Sequence, residues 1–169
     1  MDYSILLMQF DGGSRGNPGP AGCGVTLSTP AGELVYELGD YLGNHTNNYA
    51  EYTGLIRGVA AAVNLGVRKL EIRADSELVV RQILGIYRVK NATLLPLYQQ
   101  AMELLSKIPA WSIQHVYRNA NARPDELANM AMNRKRAVHG GPAAEILHSC
   151  WCDCRDNRQV RKPALPPGC

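Results

Sequence analysis

Three short runs of apolar or alternating residues open the chain, and turn-forming residues separate them. The runs cover 5–10 (ILLMQF), 22–28 (GCGVTLS) and 34–41 (LVYELGDY). Runs of this length that are bounded by Gly, Pro and Asp are typical of β-strands. Because turn signals separate the runs, we predict that the three strands form an antiparallel meander.

Beyond residue 46 the apolar positions recur at helical spacing, and helical and strand-like segments then follow one another. Gly66 is a residue type favoured just after a helix, and Ser76 is placed to cap the next one. The predicted elements after the meander are, in order, a helix over 47–65, a strand over 70–74, a helix over 77–84, a helix over 94–108, a strand over 111–117 and a helix from Pro124 toward Arg136. The complete order is therefore βββαβααβα.

This order predicts an α/β fold. Three antiparallel strands followed by helix-linked strands favour a mixed five-stranded sheet, three strands antiparallel and two parallel, flanked by helices. The composition changes at 139–142 (HGGP), after which helix-forming residues become rare and prolines break any periodicity. We therefore expect one domain over 1–138 and a flexible C-terminal tail over 139–169 that contains cysteine and proline.

Composition limits the class of protein. Hydrophobic residues make up 46% and charged residues 20% of the chain, which is typical of a globular domain and unlike disordered or collagen-like chains. No apolar run approaches the roughly 20 residues that span a bilayer, and no cleavage site follows the first apolar run. We therefore expect a cytoplasmic protein with no membrane partner.

Four of the five cysteines lie in the last twenty residues of the chain. The stretch 148–154 (HSCWCDC) offers residue types that bind metals, but structural zinc sites usually space paired cysteines by two to four residues. With only Cys23 in its body, the domain is no disulfide scaffold, in agreement with a reducing compartment. We assign no zinc to the tail.

Four acidic residues fall at the ends of predicted elements. Asp11 and Asp75 end the first and fourth strands, Glu51 lies one turn into the first long helix, and Asp125 lies in the first turn of the last helix. If the two strands are neighbours, the carboxylates meet at one sheet edge, where like charges need a cation. Oxygen ligands suit Mg²⁺, and two ions about 4 Å apart form an arrangement that supports phosphoryl transfer.

Each acid taken alone also has a structural explanation. Asp11 precedes two glycines as in many turns, Asp75 stands at a common helix start, and the dipole of the last helix favours Asp125. Glu51 is different, because it shares a helical face with apolar residues and is hard to explain as a surface charge. The combination of the four acids favours a metal site over four separate structural roles.

Four strings of the sequence closely resemble the type 1 ribonuclease H family. They are FDGGSRGNPGPAGCGV, TNNYAEYTGLIRG, ADSELVVRQI and RPDELANMA, in this order, and the resemblance covers residues 4–136. It implies the ribonuclease H-like fold and endonucleolytic hydrolysis of the RNA strand of an RNA/DNA hybrid, leaving 5′-phosphate and 3′-hydroxyl ends. It also implies that Asp11, Glu51, Asp75 and Asp125 are catalytic ligands of two Mg²⁺ ions, with Asp11 bridging both and Mn²⁺ as an alternative ion. We expect a monomer.

The same resemblance assigns the residues that read the hybrid. A hybrid nuclease distinguishes its strands by the 2′-hydroxyl, which short polar side chains and a closely approaching backbone can reach. In the family, the threonine before the first helix lies in a phosphate pocket for the DNA strand, and the amides after it reach bases in the minor groove. The predicted substrate-binding residues are Gly12, Gly13, Ser14, Asn17, Thr46, Asn47, Asn48, Ser76 and Arg118. The alternative is a Gly/Pro surface turn followed by an ordinary helix cap.

One departure from the best-known bacterial pattern concerns binding. The stretch 86–95 (IYRVKNATLL) leaves no room for the Trp- and Lys-rich protrusion that grips the hybrid in many family members. Affinity should then be lower and strongly salt dependent, and it would rest on Arg81, Arg88, Lys90 and Tyr87. The alternative is that these residues form only a solvated helix face.

A second departure lies in the loop before Asp125 (RNANARP), which lacks the histidine that many relatives carry. We predict that Arg118 or Arg123 takes its part in product release, as in the His-lacking branch of the family. His115 falls within a predicted strand, where we expect it to be half-buried. Because some members of that branch also cleave RNA duplexes, RNA duplex is a second candidate substrate. A nucleic-acid-binding module with weak nuclease activity is the alternative function.

The net charge of +3 conceals a separation of sign. Residues 1–138 hold fourteen Lys and Arg against twelve Asp and Glu. Without the four predicted metal ligands the count is fourteen against eight, so the surface available to nucleic acid carries a net charge of about +6. A polyanionic partner is therefore compatible with a nearly neutral chain.

Overall fold

Six strands form one mixed sheet in a computed structural model of the chain, which describes residues 2–151 and their side chains up to residue 147. The strands are β1 (Ile5–Ser14), β2 (Gly19–Ser28), β3 (Leu34–His45), β4 (Lys69–Ala74), β5 (Ala110–His115) and β6 (Val138–Gly140). Their order across the sheet is β5-β4-β1-β2-β3-β6. The first three pair antiparallel, whereas β4 and β5 run parallel to β1. The predicted α/β class and mixed sheet are confirmed.

Helices cover both faces of the sheet. They are α1 (Asn47–Asn64), α2 (Glu77–Ile83), α3 (Leu94–Leu105), α4 (Ala122–Arg134) and α5 (Ala144–Trp151), and a 3-10 turn covers Arg118–Ala120. Thr46 begins α1 by accepting a hydrogen bond from the Tyr49 amide at 3.2 Å, as an N-cap does. Successive residues of β2 face opposite sides, so Cys23 lies toward α1 while Gly22 and Gly24 lie toward α4.

The apolar core lies between the sheet and α1. Leu6, Met8 and Phe10 alternate along β1 and are completely buried, as are Tyr52 and Leu55 of α1. The strand was predicted from its short apolar run, and the structure adds which of its side chains face the core. Within residues 2–151, no helix has the length and apolar composition that crossing a membrane requires.

Three glycines allow α4 to approach the sheet more closely than side chains would permit. A Cβ atom on Gly24 would lie 1.9 Å from the carbonyl oxygen of Pro124, and one on Gly39 would lie 2.3 Å from that of Leu127. On Gly22 the nearest backbone atom, the carbonyl oxygen of Ala128, would lie 2.9 Å away. The first turns of α4 therefore rest directly on β2 and β3, and this contact fixes the position of the residues at the start of the helix.

The sixth strand was not predicted, and five strands is therefore the wrong number. β6 pairs antiparallel with β3, at Leu38↔His139 for example, but it has only three half-buried residues and thus no readable alternation. After it, Ala143 and Leu147 are completely buried. The packed part of the chain reaches at least Leu147, while the domain boundary near residue 138 stays a prediction. Cys152, Cys154 and Cys169 of the tail lie outside the described residues.

Substitution of Leu147 tests whether α5 belongs to the folded domain. Leu147→Ala removes a side chain that is 0% exposed, so we expect the free energy of unfolding to fall by about 3 kcal/mol. Ile146→Ala is the matched control, because Ile146 is 55% exposed, and its effect should stay below about 1 kcal/mol. Urea denaturation of the full chain measures both. Equal effects of the two substitutions would contradict the packing of α5 on the core.

Candidate active site

Three carboxylates converge where the pairing of β1 with β4 ends. Asp11 belongs to β1, Glu51 to α1, and Asp75 directly follows β4. One oxygen from each lies within 4.8 Å of the other two. Asp11 and Glu51 are each only 8% exposed. Such a group of buried carboxylate oxygens could hold a hard divalent metal ion.

The sheet register and one glycine bring these side chains together. β1 and β4 are parallel neighbours with Phe10 opposite Ala74, so the following residues, Asp11 and Asp75, lie side by side. The expectation that Asp11 ends the first strand is wrong, because β1 continues to Ser14 through its pairing with β2. The neighbouring Gly12 touches the backbone of α1, since a Cβ on it would lie 2.4 Å from the amide nitrogen of Glu51. Gly12 therefore serves the close approach of α1 to β1, which places Glu51 in the cluster.

The electrostatics show that the cluster is short of positive charge. Burial, and then the charge of Asp75, raise the pKa of Asp11 to about 7. Burial, and then the charge of Asp11, raise the pKa of Glu51 well above its usual range. Oε2 of Glu51 and Oδ1 of Asp75 are buried and have no hydrogen-bond partner among the described residues. A divalent cation fits this site, because it would satisfy both oxygens and offset the repulsion.

Asp125 lies at the edge of the cluster rather than inside it. It stands in the first turn of α4, is exposed, and lines the same open cavity of about 530 Å³ as the other three acids. The neighbouring Asp125 carboxyl contributes to the raised pKa of Asp11, after burial and the charge of Asp75. Asn121, which is 1% exposed, donates from Nδ2 to the Phe10 carbonyl at 2.8 Å and so ties the start of α4 to β1.

Most of the predicted substrate-binding residues line this cavity. Those that do are Gly12, Gly13, Ser14, Asn47, Asn48, Ser76 and Arg118. Asn47 organises one wall, because its Oδ1 accepts a hydrogen bond from the backbone amide of Ser14 at 2.7 Å. The Ser14 hydroxyl donates to the carbonyl of Gly16. Nε of Arg118 is 3.8 Å from Oδ2 of Asp75, but its side chain is 90% exposed.

Three predicted residues lie outside the cavity lining. Asn17 supports the wall, since its Oδ1 accepts from the Asn47 amide at 3.1 Å, and Thr46 caps α1. Arg123 instead makes two hydrogen bonds to Glu37, of 3.0 and 2.9 Å. It also pairs with Glu126, so the structure places its guanidinium against β3 and not beside the carboxylates.

The expectation of a half-buried His115 is wrong. His115 is exposed and lines the cavity, and its ring meets the ring of Tyr117 edge-on at 5.7 Å. β5 is an edge strand that runs parallel to β4, with His115 opposite Ala74, so its last residue reaches the same end of the sheet as Asp75. The position of His115 in the cavity follows once β5 is known to lie beside β4. The other lining residues that sequence reasoning missed are Arg15, Tyr117, Ala128, Asn129 and Met132.

The segment expected to replace the basic protrusion lies away from the cavity. Ile86 and Tyr87 are 60% and 45% exposed, and Arg88 and Lys90 are also exposed. Arg81 pairs with Glu77 at 2.8 Å and lies 5.4 Å from the centre of the Tyr87 ring. A role of this segment in hybrid affinity stays a prediction.

Repulsion in the cluster predicts a gain of stability when one charge is removed. Because the pKa of Asp11 is raised from 3.8 to about 7, its contribution to stability is complete below the ordinary pKa and is lost as the pH rises through 7. In a chelator, Asp11→Asn should therefore unfold with a free energy about 2 kcal/mol higher than wild type above neutral pH, with no gain in acid. Thermal melts at about pH 4 and about pH 8 measure this. A variant less stable than wild type at both would contradict the repulsion.

Comparisons with known proteins agree with this arrangement. A family model described as reverse transcriptase-like matches residues 9–131. Ribonuclease HI of Halobacterium salinarum is 45% identical over 124 residues, which are 73% of this chain and 62% of that protein. A bifunctional protein of Mycobacterium tuberculosis is 44% identical over 129 residues, which are 76% of this chain and 35% of the relative.

One similar solved structure contains a nucleic acid. The LC11 ribonuclease H1, in complex with an RNA/DNA hybrid, superposes with a TM-score of 0.74 at 38% identity. The match covers 77% of this chain and 98% of that one. The chain thus spans only 62% and 35% of the two curated relatives but almost the whole of the solved domain.

Proposed function

The chain belongs to the type 1 ribonuclease H family, and on that premise we propose that it hydrolyses the RNA strand of an RNA/DNA hybrid. Cleavage is endonucleolytic and leaves 5′-phosphate and 3′-hydroxyl ends. One observation carries the proposal: one oxygen each of Asp11, Glu51 and Asp75 lies within 4.8 Å of the other two, and these acids line an open cavity of about 530 Å³. The order of these acids along the chain is that of the family.

The acids would hold two Mg²⁺ ions. Glu51 and Asp75 support this choice, because each keeps a buried oxygen without a hydrogen-bond partner among the described residues. Asp11 interacts with each of the other three acids and is therefore the carboxylate best placed to be shared. When bound, the ions would supply activation of the attacking water and stabilisation of the charge on the leaving oxygen.

The protein's own groups position the hybrid. Gly13, Ser14 and Asn47 form one wall, where short polar groups can reach sugar hydroxyls in the minor groove. The hydrogen bonds from the Ser14 and Asn47 amides fix this wall before the substrate binds, so binding costs little conformational entropy here. Arg118 lies beside Asp75 with an exposed side chain, which suits a role in product release.

A strand-specific cleavage assay tests the proposal. The RNA strand of a short hybrid is labelled, and its cleavage is compared with that of RNA duplex, DNA duplex and single strands, with Mg²⁺ or Mn²⁺ present. We expect cleavage of the hybrid and products that carry 5′-phosphate. Cleavage of RNA duplex at a similar rate would broaden the substrate class. Binding of the hybrid without cleavage in either metal would overturn the proposal in favour of a binding module.

A further inference from the structure

Arg15 lies on the cavity wall next to α4, and no role has been given to it so far. We propose that its guanidinium binds a backbone phosphate of the strand that enters the carboxylate cluster. The inference rests on the proposed function, since it requires a nucleic acid in this cavity. It makes Arg15 a substrate-binding residue that holds the strand on the Asp125 side of the site.

The backbone around Arg15 is held in place before substrate binds. The Arg15 amide donates to the Pro20 carbonyl at 2.8 Å, and the preceding residue, Ser14, donates to Asn47. Gly19 packs against the backbone of Arg15, because a Cβ on Gly19 would lie 2.1 Å from the Arg15 carbonyl oxygen. The side chain therefore leaves the loop at a fixed point and in the direction of α4.

The side-chain groups that orient the guanidinium are neutral. Its Nη2 donates to Oδ1 of Asn133 at 2.7 Å and to Oδ1 of Asn129 at 3.4 Å. Among residues 2–147, no carboxylate pairs with Arg15, whereas Arg123 is paired with Glu37 and Glu126. An exposed, pre-oriented cation without a counter-charge, on the wall of a cavity, is suited to an anionic ligand.

The same contacts connect Arg15 with the fourth acid. Asn129 accepts from Arg15, and its Nδ2 donates to the backbone carbonyl of Asp125 at 2.9 Å. The contacts with Asn129 and Asn133 place the guanidinium one to two helical turns beyond Asp125, and a phosphate on Arg15 would lie there. Since the carboxylate cluster defines where the scissile phosphate must lie, the phosphate on Arg15 belongs to the same strand, close to the bond that is cut.

A purely structural role is the competing explanation, because Arg15 also joins the β1–β2 loop to α4. The two roles predict different results. A structural role depends on the asparagine contacts, so Asn133→Ala should weaken hybrid binding as much as Arg15→Ala does. A phosphate ligand depends on the charge, so Arg15→Ala should weaken hybrid binding more than Asn133→Ala, and Arg15→Lys should retain most of it.

Salt dependence of binding separates these outcomes. Affinity for a fluorescent hybrid is measured at several salt concentrations, with all substitutions made in the Asp11→Asn background so that the hybrid stays intact. Loss of one phosphate contact should weaken binding roughly tenfold and reduce the slope of log K against log salt by about 0.9. Arg68→Ala is the matched control, because Arg68 is exposed at the opposite end of β4, and it should leave both quantities unchanged.

An unchanged slope for Arg15→Ala would overturn the inference, whatever its effect on thermal stability. The position of the phosphate is tested with hybrids that carry one neutral methylphosphonate near the mapped cleavage site. At one position the neutral linkage and Arg15→Ala should not be additive, because both remove the same contact. Additive effects at every position would also overturn the inference.

Hybrid binding without cleavage by the wild type would contradict only the proposed function, and absence of binding would contradict both.

Discussion

Asp11→Asn is expected to lower kcat for hybrid cleavage by roughly a thousandfold or more, because it removes the carboxylate at the centre of the cluster. Asp11 lies within reach of Glu51, Asp75 and Asp125, so its loss affects every ion that the site would hold. Asparagine has nearly the same shape and keeps one oxygen, which leaves the fold intact. Hybrid affinity should change much less than kcat, since binding rests on other residues of the cavity.

Single-turnover cleavage and hybrid binding measure the two halves of this prediction separately. Glu71→Gln is the matched control, because Glu71 is a half-exposed carboxylate on β4 whose contact is a surface ion pair with Lys69 at 3.7 Å. It should cleave at the wild-type rate. If Asp11→Asn retained more than about a tenth of the wild-type kcat, the assignment of Asp11 as a shared metal ligand would be wrong.

The convergence of Asp11 and Asp75 was predicted on the condition that the first and fourth strands are neighbours, because one acid closes an apolar run and the other an alternating run. Parallel neighbours end at the same sheet edge, and the register of β1 with β4 does place the two acids side by side. Glu51 could be predicted for a different reason, since a carboxylate among the apolar positions of a helix needs a buried role. Local pattern singled out these three acids, and the strand order of the structure supplied the adjacency on which their convergence depended.

The remaining features depend on contacts between distant segments. β6 has three residues, and its place is set by its pairing with β3 rather than by its own pattern. His115 and Arg15 reach the cavity only because β5 lies beside β4 and because two asparagines of α4 orient the guanidinium. Strand order and tertiary hydrogen bonds of this kind have no local signature in the sequence.

The location of Asp125 was the least predictable part of the site, although a signal was present. Its distance from the cluster depends on how closely α4 approaches β2 and β3, which Gly22, Gly24 and Gly39 determine. In the sequence these glycines resemble turn residues. Glycine inside a strand, however, often marks a close approach of another backbone, and two of them alternate on one face of β2.

Gly24→Ala is therefore expected to damage both stability and catalysis. Its Cβ would lie 1.9 Å from the Pro124 carbonyl oxygen and 3.0 Å from the Ala128 amide nitrogen, so α4 would have to move away from the sheet. Overpacking against backbone should lower the free energy of unfolding by about 3 kcal/mol. A shift of α4 by about 1 Å would also displace Asp125 and reduce kcat roughly a hundredfold in the protein that remains folded.

Urea denaturation and kcat, measured where the variant is fully folded, test the two effects. Gly32→Ala is the control for replacing a glycine without a steric clash, because a Cβ there meets nothing within 4 Å. Only the backbone φ of +87° opposes this substitution, and it should cost about 1 kcal/mol of stability.

Combination with Asp125→Asn tests whether the loss of activity arises from displacement of Asp125. If Gly24→Ala acts by displacing Asp125, it should lower kcat little further in that background, whereas full additivity would place the loss elsewhere. A Gly24→Ala variant as stable and active as wild type would contradict the requirement for a close contact between α4 and β2.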